Sequence, residues 1–167
     1  MSNDTLIKEF KTADNLTVSI YVREWYTGSD AISDQFELTD THQGGITIKN
    51  PEYDGHMSYK YAIPMQCSLA ELTKHYAKQG CDNPSRAAYA SLQRELGWYI
   101  TADDISLLYI VSKNGIELAN NFGISSEFSW QYSDQSLEQF ALELLTDHDD
   151  TSEALEQARN TLTELVA

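Results

Sequence analysis

Thr101–Gly115, TADDISLLYIVSKNG, carries the balance between sheet and helix in the second half of the chain. Its centre, Ile105–Val111, is apolar except for Ser106. In a run this short, periodicity does not separate a buried strand from a buried helix segment. The flanks point to helix. Thr101-Ala102-Asp103-Asp104 sets a capping side chain ahead of two acids, which the positive end of a helix favours. Lys113-Asn114-Gly115 supplies a basic last turn and a stop. The expected element over 105–111 is a helix.

The sequence before it supports the same division of labour. Ser68-Leu69-Ala70-Glu71 is a capping box, in which the Ser hydroxyl accepts from the N3 amide and Glu71 reaches back. That helix is expected to run to Gln79 and end at Gly80. Asn83-Pro84 opens another, with Asn as N-cap and Pro at N1. Ala87, Ala88, Ser91, Leu92 and Leu96 share one of its faces, and Gly97 is its expected terminator. Further upstream the pattern changes to strand. In LTVSIYVREWY, Leu16–Tyr26, the residues Leu16, Val18, Ile20 and Val22 alternate with Thr17, Ser19, Tyr21 and Arg23, a period of two with one face buried. Ala13-Asp14-Asn15 joins it to a strand over Thr5–Thr12 as a hairpin loop. Gly45–Lys49 and His56–Ile63 read as two more strands around the turn residues Asn50–Gly55.

After residue 115, two amphipathic helices are clear. Leu137, Phe140, Ala141, Leu144 and Leu145 form one apolar stripe, and Leu155, Ala158, Leu162 and Leu165 form another after Thr151. The expected fold class is therefore α+β: an N-terminal antiparallel sheet of three to five strands, then about five helices, ending in an acidic helical hairpin. A chain of 167 residues fits a single compact domain over 1–167, with 1–66 mainly β and 67–167 mainly α.

Charge bounds the function classes. The net charge is −15, and it is uneven. Residues 1–100 carry 9 Lys/Arg and 13 Asp/Glu, whereas 101–167 carry 2 and 13. No Lys or Arg lies between Lys113 and Arg159. Such a surface repels phosphate, so direct nucleic-acid or anionic-membrane binding is disfavoured and a basic protein partner is favoured. MSNDTLIKEF has no basic start or apolar run of a secretory signal, and no window approaches a membrane span. A cytoplasmic protein is the expectation. Cys67 and Cys81 flank a helix and stand too far apart along its axis for a disulfide, so two free thiols are expected.

Motifs for chemistry fail on inspection. Gly44-Gly45 lacks the downstream Lys-Ser/Thr of a phosphate-binding loop. Cys67, His75 and Cys81 lack the close Cys pair of a structural zinc site. Asp147-His148-Asp149-Asp150 starts like a calcium loop, but Ser152 falls where glycine is required and Ala158 where a bidentate Glu is required. Gly115–Tyr132, GIELANNFGISSEFSWQY, resembles the helix-turn-helix pattern through Leu118, Ala119, Phe122, Gly123 and Ile124. Its would-be recognition segment has Glu127 and Asp134 and no cation, which opposes docking on DNA. No catalytic residue, cofactor or metal ligand is singled out, and the protein is read as a non-enzyme.

What remains is a polyanionic C-terminal quarter. Asp134, Glu138, Glu143, Asp147, Asp149, Asp150, Glu153 and Glu156 are the candidate partner-binding acids, with Trp130 and Tyr132 as aromatic anchors beside them. A helix with an acid every three to four residues presents a carboxylate each ~5–6 Å of axis. Adjacent helices of this kind approach the phosphate density of a duplex, one per ~1.7 Å. The leading expectation is an inhibitor of a basic nucleic-acid-handling enzyme, such as a restriction, CRISPR or toxin nuclease, that accepts carboxylates in place of phosphates. Size and charge are similar to those of plasmid-borne antirestriction proteins that imitate DNA, without a shared motif. Two other readings stand beside it: a small enzyme whose residues are scattered along the chain, and an acidic structural or adaptor protein.

Overall fold

The computed structural model of the protein describes residues 3–25, 32–55 and 59–166. Four antiparallel strands form its larger sheet, in the order β1-β2-β6-β7: β1 Asp4–Lys11, β2 Thr17–Glu24, β6 Asp103–Lys113 and β7 Ile116–Phe128. Three short strands form a second sheet, in the order β3-β5-β4: β3 Phe36–Thr39, β4 Ile48–Lys49 and β5 Tyr61–Pro64. The helices are α1 Ile32–Gln35, α2 Leu69–Lys78, α3 Pro84–Thr101, α4 Leu137–Asp147 and α5 Thr151–Val166. The class is α+β. No helix among the described residues is long and apolar enough to cross a membrane.

Two compact units result. The first comprises residues 1–27, 103–128 and 134–167; the second comprises 28–102 and 129–133. None of the four boundaries falls at residue 66, and the long strands β6 and β7 lie in the half read as helical. The decisive correction is Thr101–Gly115. Ile105–Val111 is the interior of β6, pairing with β2 on one side and β7 on the other. Ile105, Leu107, Tyr109 and Val111 are buried on one face, and Leu108 is buried on the other. A strand buried on both faces has no alternation to betray it. Thr101 does not cap a new helix. It ends α3, where its hydroxyl donates to the Gly97 carbonyl at 2.7 Å. Asn114 and Gly115, both at positive φ, form the hairpin turn between β6 and β7. The helix-turn-helix resemblance is overturned with it, because Gly115–Phe128 is turn and strand.

In the first unit, the predicted hairpin stands as β1 and β2, with Asn15 in the left-handed region of its loop. Leu16, Val18, Ile20 and Val22 are all buried. The packing of α5 is with β6 and β7, and that of α4 with β1. Leu137, Ala141 and Leu145 bury the α4 stripe, while Ser136 and Gln139 form a reciprocal capping box. The α5 stripe is rotated from expectation: Ala154 and Ala158 are buried and Leu165 is 67% exposed. Small residues let α5 lie close on the sheet. Gly123 in β7 makes room for a neighbour in β6, since a side chain there would collide with the Tyr109 ring.

In the second unit, Phe36, Ile48, Ala62, Leu92 and Leu96 make the core, with Leu69, Leu72, Tyr89 and Tyr99 packed against it. Ser68 caps α2 by accepting from the Glu71 amide, and Gly80 follows its end at φ 77°. Asn83 and Pro84 start α3 as expected. Gly45–Lys49 is strand only over Ile48–Lys49; Gly44–Ile46 is a 3-10 turn. Of the strand read over His56–Ile63, residues 56–58 lie outside the described residues, and β5 begins at Tyr61. The edge of β4 is covered by α3: the Lys49 amide donates to the Tyr89 hydroxyl at 2.8 Å, and Gln93 donates to the Lys49 carbonyl at 3.1 Å. The cysteines are free thiols, Cys67 half-buried and Cys81 exposed.

Gly97 does not end α3, which continues one more turn to Thr101. It is a point of close approach. The Tyr132 ring lies where a side chain at 97 would be. Tyr132 donates a short hydrogen bond to Glu52, and Arg94 donates to the Tyr132 carbonyl at 3.0 Å. Ser129 is fully buried, 2.7 Å from the Thr101 hydroxyl.

Candidate functional site

The acids singled out from sequence all belong to the first unit and are all exposed. Asp134 precedes α4. Glu138, Glu143 and Asp147 lie along α4, and Asp149 and Asp150 lie in the joint. Glu153 and Glu156 follow in the first two turns of α5, and Glu164 lies near its end. Trp130 and Tyr132 belong to the second unit. Trp130 is 59% exposed, but Tyr132 is half-buried against Gly97 with its hydroxyl engaged by Glu52. The expected aromatic anchors and the expected acids are therefore in different compact units.

The acids differ in what local structure asks of them. Glu138 and Glu153 sit in first turns, where the helix dipole stabilises an anion. Asp149 accepts from the Thr151 amide at 3.0 Å, which holds its carboxyl below the usual carboxylate range, with Lys8 adding in the same direction. The Asp150 amide donates to the Tyr109 hydroxyl at 3.5 Å. Asp147, Glu156 and Glu164 lie outside these first-turn and cap positions, and so does Glu143, which Gln135 holds instead. Asp147 ends α4 and Glu164 lies in the last turn of α5, both at the negative end of a dipole. Glu143 and Asp147 are four apart on one helix, a like-charge pair that costs about 0.2–0.5 kcal/mol.

Only one cation exists to balance them along these helices. Arg159 donates two hydrogen bonds to Asp14, at 2.9 and 3.2 Å. The pairing holds the Asp14 carboxyl far below the usual range and raises Arg159. Its charge is thereby matched by an acid outside α4 and α5.

Between Glu143 and Asp147 lies a depression of about 370 Å³, lined also by Leu142 and Thr146. Leu142 is 40% exposed and sits off the apolar stripe. Sequence reasoning passed over it, although an apolar residue on the polar face of an otherwise regular helix is a readable signal. Glu143 also accepts from Gln135 at 2.7 Å, which orients its carboxylate.

A cavity of about 270 Å³ in the second unit is lined by Ser91, Arg94, Glu95, Trp98, Tyr99 and Tyr132. Glu95 is its one carboxylate, raised by burial. Paired acid–base chemistry needs a second titratable group tuned to the opposite role, and the Tyr132 phenol, pushed up to about 12 by burial and by Glu52, is not one near neutrality. Among the described residues, no group of three or more His, Cys, Asp or Glu gathers as a metal site. Compared with family models, with curated proteins and with solved structures, the chain finds no match in any of the three.

Proposed function

We propose that the protein binds and blocks a basic, nucleic-acid-handling partner through the acidic face of α4 and α5. One observation carries this reading: α4, the joint and α5 hold exposed carboxylates that helix stability does not explain, and Arg159, the one Lys or Arg on these helices, is paired with Asp14. The carboxylates stand in for phosphates in a basic cleft, steering association at long range and pairing with Lys and Arg on contact. The Leu142 depression, flanked by Glu143 and Asp147, supplies the apolar contact that Trp130 and Tyr132 were expected to supply.

The test is a variant carrying Asp147→Asn, Asp149→Asn, Asp150→Asn and Glu153→Gln. Asn at 149 retains an oxygen for the Thr151 amide, so the start of α5 is preserved. Purified basic nucleases of the restriction, CRISPR and toxin types are assayed for inhibition at ~0.1 M salt, where exposed charges act over roughly 10 Å. The wild-type protein is expected to inhibit one class, and the variant to be at least ~10-fold weaker. Equal inhibition by the folded variant removes the acidic face as the contact. The variant is also expected to fold with a stability close to that of the wild type, because relief of like-charge repulsion is offset by the favourable charges lost at Asp149 and Glu153.

A further inference from the structure

Both helices of the first unit lie on one side of its sheet: the Tyr109 hydroxyl meets the Asp150 amide, and Phe128 meets Phe140 of α4 at 5.4 Å between centroids. Register sends Ser19, Tyr21 and Arg23 of β2, with Ser106, Leu108 and Ile110 of β6, to the other side. Asp4, Leu6 and Glu9 of β1 and Phe122 of β7 pair beside them. On this outer face, the Trp25 and Phe122 ring centroids are 5.5 Å apart. The Arg23 guanidinium lies 5.5 Å from the first ring and 5.2 Å from the second. Asp4 accepts two hydrogen bonds from Arg23, at 2.6 and 2.8 Å. The Trp25 indole N–H donates to Ser106 at 3.0 Å, and Ser106 is 2.8 Å from the Ser125 hydroxyl.

These contacts hold the cluster in one arrangement, yet its apolar surface stays in water. Leu6, Trp25 and Phe122 are 49%, 43% and 49% exposed. Scattered exposed apolar residues need no explanation. A preformed Trp–Arg–Phe stack with an adjoining Leu is different, because Trp and Arg dominate the energetics of protein interfaces and rigid aromatics lose little entropy on binding. The surround selects the occupant. Asp4, Glu9, Asp104, Glu117 and Glu127 stand on the same face with Lys11 and Arg23, and Arg23 is already matched by Asp4. The first unit holds 17 acidic and 5 basic residues, a net of −12. A second copy would bring that charge against itself, and nucleic acid would bring phosphates, so both are opposed.

We propose that the outer face of the β1-β2-β6-β7 sheet is a second protein-docking surface, centred on Arg23, Trp25 and Phe122. Its occupant is a basic protein segment that lays an apolar side chain over the two rings and sets Lys or Arg against Glu9 and Glu117. The surface is distinct from the acidic face of α4 and α5 and does not depend on it.

The experiment uses the whole protein and a small set of synthetic peptides, each with one apolar residue flanked by Lys and Arg. Matched peptides carry Ala at the centre or Glu in the flanks. The Trp25 indole N–H resonance is the reporter, since its donor is fixed on Ser106. Expected results are a progressive shift of that resonance by a Trp- or Leu-centred basic peptide and at least ~10-fold weaker binding by Phe122→Ser. The four-acid variant of α4 and α5 should still shift it. The proposal is overturned if no peptide moves the indole signal, if Ala-centred or Glu-flanked peptides do so equally, or if Phe122→Ser binds unchanged. It is also overturned if the signal moves with protein concentration alone, which would make a second copy the occupant. The wild-type titration decides even where a variant fails to fold.

Discussion

The two compact units hold themselves together, and face the solvent, in different ways. The first carries 17 acidic and 5 basic residues; the second carries 9 and 6, a net of −3. The first is built on long strands whose buried apolar residues alternate or run continuously, and its carboxylates crowd the helices outside. The second has short strands, and named polar contacts fasten it: Tyr89 and Gln93 on the β4 edge, Asn50 on the Tyr59 carbonyl, and Tyr132 on Glu52. Acidity that served solubility alone would have no reason to gather in one unit. On the function proposed above, the charge gathered on the first unit serves a partner at its surface.

The largest test of this contrast is in the cores. Ile20→Ala in the first unit and Leu96→Ala in the second each remove a fully buried side chain and are expected to cost about 2–5 kcal/mol. Native-state hydrogen exchange should then show accelerated opening confined to the unit that carries the substitution. Equal acceleration in both units for either variant would mean that the chain unfolds as one cooperative body.

A middle-sized effect is expected at Gly97. Alanine in a helix interior is favoured over glycine by about 1 kcal/mol. Here the added methyl meets the Tyr132 ring, and overpacking costs about 1–3 kcal/mol. Gly97→Ala should therefore lower the urea midpoint; a raised midpoint would show that the 129–133 segment gives way without cost.

The smallest effect is an alkaline one that sharpens the role of polar fastening. The Tyr132 phenol is raised from 10.0 to about 12 by burial first and by Glu52 second. A group raised in the folded state contributes stability that is complete below its unfolded value and is lost as pH climbs through the folded one. The thermal midpoint should fall between pH 10 and about 12 with a component that Tyr132→Phe removes. An identical alkaline profile in that variant would mean that other groups cause the loss.

The starts of α2 and α3 were legible because Ser68 and Asn83 accept from amides three residues on and Pro84 fixes its own φ at the first helical position. The β1–β2 hairpin was legible because one face is apolar and the loop accepts a left-handed Asn15. β6 was not, since burial on both faces erases the alternation, and the residues that looked like a cap before it serve the end of α3 instead. Of the candidate site, the acids and their exposure were readable from their places off the α4 stripe. The Leu142 depression and the Trp25–Arg23–Phe122 stack were not, because each needs neighbours that only the folded backbone brings together.

Sequence alone determined the local events: the hairpin loop, the helix caps, the α4 stripe, the two unpaired thiols and the uneven charge. Each depends on side chains acting over a few residues or on a sum that folding does not alter. Tertiary structure decided which strands pair, that residues 1–27 and 134–167 share a unit, that Gly97 and Gly123 are points of close approach, and that Leu165 stays exposed. Those outcomes rest on contacts such as Trp25 with Ser106, 81 positions apart. Burial at that range is set by the partner surface, and no pattern within either segment specifies which surface that is.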